Sequence, residues 1–172
     1  DTGAAGARTT SCGLSLEKRG VGQTPGQSGG KKMADRNQIN HLVDELWRFI
    51  HQWPWDLFVT LTFGARFPIS YNYIESQWNR FLAHINKRQK RNPYWVSSLE
   101  TGREQDVPHI HTLIGGTELS PREIPEIWHP NTGNAHAEEY DPEKRAAWYI
   151  AKNPDCVEFS ENLLPPARNS KK

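Results

Sequence analysis

The sequence contains little sulfur, with 2 cysteines and 1 methionine in 172 residues. Cys12 and Cys156 are far apart in the chain. Two cysteines are too few for a disulfide framework or for a zinc site built from cysteines. This low content is typical of a reducing compartment. We therefore expect an intracellular protein, in the cytoplasm or, in a eukaryotic host, in the nucleus.

The sequence also lacks a long apolar run and a strong charge of either sign. No stretch of about 18 apolar residues occurs, so we expect no membrane-spanning helix, and the first residues do not resemble a signal peptide. The formal net charge is +1. Any binding to a polyanion must therefore depend on local basic patches rather than on the overall charge.

Composition divides the chain into three parts. Residues 1–34 are rich in glycine and poor in large apolar side chains, which predicts a disordered leader or tail, with Met33 as a candidate natural start. Residues 35–156 have the apolar periodicity of a folded domain. Residues 157–172 are polar and contain prolines, and we expect an irregular C-terminal tail.

The apolar pattern of the domain predicts alternating helices and strands. Two strands around residue 105 are joined by a loop with no helix, which favours an antiparallel hairpin. We expect an α+β fold in which helices pack on one face of a central, mostly antiparallel sheet. The predicted helices cover 39–50, 72–89, a start at Ser120, and 142–152, and the predicted strands cover 56–63, 94–100, 109–115 and 134–140.

Two histidines stand one residue apart in the strand motif PHIHTLIGG at 108–116. Alternate residues of a strand point to the same face, so His109 and His111 lie side by side. Two imidazoles suit a divalent ion, and a carboxylate would extend the choice toward Mn²⁺ or Mg²⁺. The hairpin could supply Glu100, with Glu104 and Asp106 as alternatives in the loop. The alternative interpretation is that both histidines are ordinary residues of a half-exposed strand.

Two further groups of residues are candidates for chemistry. Tyr149 and Lys152 are three apart, so they share a helix face, where a lysine could stabilise a phenolate or a phosphate oxygen. Tyr149 could instead fill the core. The stretch KRQKRN at 87–92 ends a predicted helix. Its basic residues could contact phosphates or only complement the helix dipole; they are Lys87, Arg88, Lys90 and Arg91.

Taken together, these motifs resemble those of the HUH endonucleases, and within them the single-tyrosine rolling-circle replication initiators (Rep proteins) of small plasmids and viruses. FVTLTF at 58–63 is similar to their first motif, PHIHTLI at 108–114 to their histidine motif, and WYIAK at 148–152 to their Y-x-x-K motif. The Glu-x-Gly of ETGREQDVPHIH also resembles the viral Rep pattern. The resemblance covers about residues 56–153.

The resemblance implies a ferredoxin-like or RRM-like fold and a divalent metal ion, Mn²⁺ or Mg²⁺, held by Glu100, His109 and His111. It implies that Tyr149 attacks a phosphate of single-stranded or stem-loop origin DNA to give a 5′-phosphotyrosine bond, with Lys152 positioning the phosphate. Bases could stack on aromatic side chains such as Trp55 or Phe67. No Walker motif follows, so a host helicase and a host polymerase would be the partners, unless the chain is a fragment.

The same motifs are compatible with other functions. A transposase or relaxase of the same superfamily is one, although relaxases commonly carry a third histidine in the motif. HIHTLIGG also resembles the histidine-triad nucleotide hydrolases, but Leu113 occupies the position of their nucleophile. A non-catalytic single-stranded nucleic-acid-binding module of the same fold is the non-enzymatic alternative. Such a module would be indifferent to chelators and to loss of Tyr149.

Overall fold

The computed structural model describes residues 29–64, 69–101, 107–128 and 132–163, with side chains from residue 38 onward except that of Thr101. The structure therefore does not test most of the predicted leader. Three residues considered above as stacking partner or metal ligands also lie outside the described residues: Phe67, Glu104 and Asp106.

The described residues form four α-helices and five strands, and the second and third strands follow each other without a helix between them. The helices are α1 (Gly29–His51), α2 (Tyr71–Lys87), α3 (Ile124–Ile127) and α4 (Ala146–Ala151). The strands are β1 (Leu57–Phe63), β2 (Tyr94–Thr101), β3 (Pro108–Gly115), β4 (Gly133–Glu139) and β5 (Val157–Phe159).

The strands form one sheet in the order β4-β1-β3-β2-β5, and every pair of neighbours is antiparallel. The α+β class, the antiparallel sheet and the β2–β3 hairpin are therefore confirmed. In the described residues, no helix is both long and apolar enough to cross a membrane.

Helices pack on both faces of the sheet, so the expectation of a single covered face is wrong. On one face α2 and α3 bury an apolar cluster that includes Val59, Leu61 and Phe81. On the other face α1 and α4 bury a second cluster that includes Val96, Leu113 and Ile150. The side chains of a strand alternate between the two faces of the sheet, and β2 and β3 carry apolar side chains on both faces. Each face therefore needs helices to bury its apolar side chains.

The prediction for the C-terminal helix is only partly right. Asp141 caps a 3-10 turn by accepting a hydrogen bond from the backbone N–H of Glu143 (2.9 Å). Arg145 then adopts a left-handed conformation with φ of 57°, which interrupts the helix. As a result α4 begins only at Ala146, and Lys152 is its C-cap.

Two other boundaries differ from the predictions. α1 begins at Gly29, ahead of the predicted domain boundary at 35, because the run KKMA consists of good helix formers. The C-terminal tail from residue 157, which we expected to be irregular, begins with β5, which pairs with β2. Three residues are too few to show a strand periodicity, so pairing with an existing sheet edge decides this strand.

The backbones of β4 and β1 approach each other closely at Gly133, the first residue of β4, and a substitution there tests this contact. Its φ is 153°, and a Cβ there would lie 1.8 Å from the backbone oxygen of Thr62. We expect Gly133→Ala to lower the free energy of unfolding by at least about 2 kcal/mol, measured by urea denaturation. Gly64→Ala is the matched control, since its Cβ would meet its nearest atom at an ordinary 3.6 Å. Equal stability of the two variants would contradict this account of the β1–β4 junction.

Candidate active site

The two histidines of β3 are oriented by two threonines of β1. The antiparallel register places Thr60 opposite His111 and Thr62 opposite His109. The threonine hydroxyls lie 3.1 Å and 3.0 Å from the respective Nδ1 atoms. A hydrogen bond at Nδ1 fixes the ring orientation and leaves Nε2 as the nitrogen that can bind a metal.

Glu100 joins this pair from the neighbouring strand, as the hairpin predicted. It lies opposite His109 in the register, and its Oε2 is 3.1 Å from Nε2 of His111. The Nζ atom of Lys152 lies 2.9 Å from Oε1 and 2.8 Å from Oε2 of the same carboxylate. The carboxylate therefore links a histidine of the sheet to the end of α4.

Tyr149 lies above this cluster on the exposed side of α4. Its neighbours Ala147 and Ile150 are buried, while 44% of Tyr149 is exposed, so the core-filling alternative is wrong. The phenol ring lies 6.0 Å from the His111 ring and 5.0 Å from Nζ of Lys152. The residues of the histidine motif and of the Y-x-x-K motif, which are far apart in sequence, thus meet in one place.

Two groups of the cluster have shifted protonation equilibria. Burial lowers the pKa of His111 below its ordinary value, although the charge of Glu100 opposes this effect. Burial would raise the pKa of Glu100, but hydrogen bonding and charge from Lys152, together with His111, outweigh it, so that this pKa is lowered. At neutral pH a neutral imidazole therefore faces an ionised carboxylate, which is the state that metal binding requires.

The donor set fits a divalent ion in part. Adjacent donors around an octahedral ion with bonds of about 2.1 Å are separated by about 3 Å, and His111 Nε2 and Glu100 Oε2 lie 3.1 Å apart. Buried Ser98, beside His111 in the register, has a hydroxyl with no hydrogen-bond partner. However, among the described residues no three His, Cys, Asp or Glu side chains are already grouped to hold a metal. Glu100 would have to exchange Lys152 for the ion.

A strip of the same sheet face, beyond the histidines, is not covered by any helix of the described residues. β4 lies next to β1 there, with His136 opposite Thr60 and Asn134 opposite Thr62, and both β4 residues are exposed. Sequence reasoning missed this strip and the hydrogen bonds of the threonines. The alternation in NAHAEEY places Asn134 and His136 on one face, but only the strand order shows that β4 lies beside β1.

Two groups predicted to contact nucleic acid lie elsewhere. Trp55 is only 7% exposed and donates a hydrogen bond from Nε1 to the Ile50 carbonyl oxygen (2.8 Å), so it cannot stack with a base. The aromatic residues exposed at the cluster are Tyr149 and its neighbour Trp148. The basic stretch 87–92 is largely exposed, but it precedes Tyr94, at the end of β2 opposite to Glu100.

Comparisons with known proteins identify no relative of this chain. No family model matches the chain, and no curated protein or solved structure matches it. The resemblance to HUH endonucleases therefore depends on the short motifs and on the cluster that they form.

The shifted pKa of His111 predicts a pH dependence. Because the unfolded chain takes up a proton at this imidazole at a higher pH than the folded protein, His111 should reduce stability as the pH falls below about 6.5. We expect its NMR titration midpoint to lie below 6.5, and Glu100→Gln to lower it further, since the carboxylate raises it. Glu138→Gln, on the same sheet face but paired with Lys144 (3.2 Å), is the control. A midpoint that rises in Glu100→Gln would contradict the assigned role of Glu100.

Proposed function

We propose that the protein nicks and rejoins single-stranded DNA with the help of a divalent metal ion, through a covalent bond between Tyr149 and a DNA phosphate. Rolling-circle replication initiation is the process that this chemistry would serve. The observation that carries the proposal is the position of Tyr149, 6.0 Å from His111 and 5.0 Å from the ammonium group that holds Glu100.

The residues of the chain supply a nucleophile and a cation beside it. A phenol with a pKa of about 10 is a weak nucleophile at neutral pH. The ammonium group of Lys152 would stabilise a phenolate at Tyr149 and the charge of an incoming phosphate. Trp148 is 47% exposed next to Tyr149, where it could stack with a base of the substrate.

A metal ion, Mn²⁺ or Mg²⁺, would be held by Glu100, His109 and His111, and would polarise the scissile phosphate as a Lewis acid. The threonines at Nδ1 keep both imidazoles in the orientation that such binding needs. Binding of an ion by Glu100 would release Lys152 from the carboxylate. Its ammonium group, which lies 5.0 Å from the centre of the phenol ring, would then be available to the phosphate.

The bonds in the proposed reaction balance without an oxidant or a nucleotide cofactor. The Tyr149 oxygen loses its proton to solvent and forms a bond to phosphorus, and the bond from phosphorus to the 3′ oxygen breaks. That oxygen takes up a proton and leaves as a free 3′-hydroxyl group, which can prime synthesis by a host polymerase. Attack by a 3′-hydroxyl on the phosphotyrosine reverses these steps and rejoins the strand.

The substrate should be single-stranded DNA, or an origin opened as a stem-loop, because the phosphate must reach the sheet surface beside Tyr149. The open strip with Asn134 and His136 offers a path for a strand next to the cluster. The basic residues Lys87, Arg88, Lys90 and Arg91 could bind phosphates only at a distance from the cleavage point. Opening of duplex DNA would come from a host helicase.

A second candidate is a single-stranded nucleic-acid-binding module without catalysis. The exposed aromatic side chains of Trp148 and Tyr149 beside an open sheet strip favour it, since such surfaces bind bases by stacking. The two candidate functions differ in what they require. Binding alone needs neither a metal ion nor the hydroxyl group of Tyr149.

Covalent capture of DNA tests the nuclease. The protein is incubated with Mn²⁺ and a pool of labelled single-stranded and stem-loop DNAs, and the products are separated on a denaturing gel. We expect a slow-moving protein–DNA band that is lost in Tyr149→Phe and with a chelator, because the hydroxyl and the ion are both required. Sequencing of the captured DNA would give the cleavage site.

Tyr140→Phe is the matched control, since Tyr140 is partly buried outside α4 and should not affect the band. An adduct that persists in Tyr149→Phe would show that another residue is the nucleophile. If the folded protein binds Mn²⁺ and DNA but forms no adduct, the nuclease proposal fails and the binding module remains.

Lys152→Met separates metal binding from catalysis. Removal of the ammonium group frees the Glu100 carboxylate, so we expect Mn²⁺ to bind about tenfold more tightly, measured by electron paramagnetic resonance of free Mn²⁺. Adduct formation should nevertheless slow by at least about tenfold, because the phosphate and the phenolate lose their cation.

Lys144→Met is the control, since it removes an ammonium group that pairs with Glu138 on the same sheet face (3.2 Å). It should leave both the Mn²⁺ affinity and the rate of adduct formation unchanged. Unchanged Mn²⁺ affinity in Lys152→Met would show that the ion does not compete with Lys152 for Glu100.

A further inference from the structure

A crevice lies on the sheet face opposite to the candidate active site, between α2 and the β2–β5 edge. Its apolar walls come from three elements, with Trp78 on α2, Trp95 and Leu99 on β2, and Ile110 on β3. The two indole rings lie 5.1 Å apart in an edge-to-face arrangement. The crevice exists because β5 has only three residues, so the sheet edge under α2 is short.

Three polar groups line this crevice without a partner in the described part of the chain. The register places Ser97 opposite Glu158, so their side chains share the face toward α2, and Glu75 faces them from α2. Neither carboxylate forms an ion pair with a described residue, and the hydroxyl of Ser97, a residue that is 5% exposed, forms no hydrogen bond with a described residue. The Ser97 oxygen, unlike that of Ser98, is not fully buried and remains accessible from the crevice, so a ligand there can form a hydrogen bond with it.

The charges of the crevice select a cation. Burial raises the pKa of Glu158, and the nearby charge of Glu75 raises it further. Two carboxylates that face each other beside apolar walls repel unless a positive group lies between them. Tyr71 and Cys156 also line the crevice, and neither is a permanent cation. A ligand with a positive charge would relieve the repulsion.

The size and the apolar walls of the crevice indicate which kind of cation fits it. The crevice is partly open and has a volume of about 50 Å³, and one water needs about 10–15 Å³ by this measure. The crevice therefore has room for about four water-sized groups, which is the size of a guanidinium group with its carbon and three nitrogens. Guanidinium is planar, stacks on aromatic rings and donates several hydrogen bonds in a fixed plane, which suits indole walls, two carboxylates and a hydroxyl.

We propose that the crevice between α2 and the β2–β5 edge binds a guanidinium group through Glu75, Glu158 and Ser97. The group could belong to a free small molecule or to an arginine side chain of a protein partner, and the chemistry of recognition is the same. The crevice is separated from the histidine cluster by the sheet itself. This inference therefore does not depend on the proposed nuclease function.

The test uses probes that differ in charge but hardly in shape. Ethylguanidinium is compared with ethylurea, and the tripeptide acetyl-Gly-Arg-Gly-amide with its citrulline counterpart, in which an oxygen replaces the charged nitrogen. Binding is followed by NMR through the indole N–H signals of Trp78 and Trp95, assigned with Trp→Phe variants. We expect saturable shifts with a guanidinium probe and none with its neutral counterpart.

Variants decide whether the named residues bind the cation. We expect Glu158→Gln and Glu75→Gln each to weaken binding by about tenfold, because each removes a charge-assisted hydrogen bond, and Ser97→Ala to weaken it less. Glu126→Gln, exposed on α3 away from the crevice, is the matched control and should bind as the unmodified protein does. Thermal unfolding of each variant shows whether it is folded, and three separate substitutions keep the test valid if one is not.

The two probe types distinguish the sources of the ligand. Binding of ethylguanidinium without binding of the peptide indicates a free small molecule, whereas binding of the arginine peptide indicates a side chain of a partner. Both outcomes support the proposal. Equal binding of the charged and neutral probes, no binding of either charged probe, or unchanged affinity in both glutamine variants would overturn it.

Discussion

The position of β3 between β1 and β2 is the constraint on which the candidate active site depends. In this register Thr60 and Thr62 meet His111 and His109 from one side, and Glu100 meets them from the other. A slip by one residue would turn both histidines toward the apolar core under α2. The register is fixed because Ile110 and Ile114 are buried in that core. The apolar residues of β3 therefore determine where its polar residues can act.

The short helix α4 depends on the same sheet for its position. A helix of six residues is not stable alone, and α4 is held by burial of Ala146, Ala147 and Ile150 against α1 and the sheet. The contact of Lys152 with both oxygens of Glu100 fixes its C-terminal end. Because Tyr149 lies between these attachments, its distance from His111 is set by apolar packing at one end and by an ion pair at the other.

Much of this arrangement follows from the sequence, since helix and strand periods are local. The main strands, the hairpin and the shared face of His109 and His111 needed only apolar spacing and the absence of a helix between two strands. Strand order is a tertiary property, so the threonine–histidine contacts and the place of His136 could not be derived. The same reason explains Trp55, which looked like an accessible aromatic residue but is covered by packing against α1.

Helices bury only part of the sheet face that carries the histidine cluster, and this uneven burial links the fold to the proposed chemistry. α1 and α4 bury the part of this face around Val96 and Leu113, and there the sheet serves only as core. Beyond them, the strip of β1 and β4 carries polar side chains that remain accessible. The histidine cluster lies at the boundary between the two parts. Burial on one side lowers the local dielectric and strengthens the contact of Glu100 with Lys152, while the open side would let a chain as long as the proposed DNA strand approach without threading.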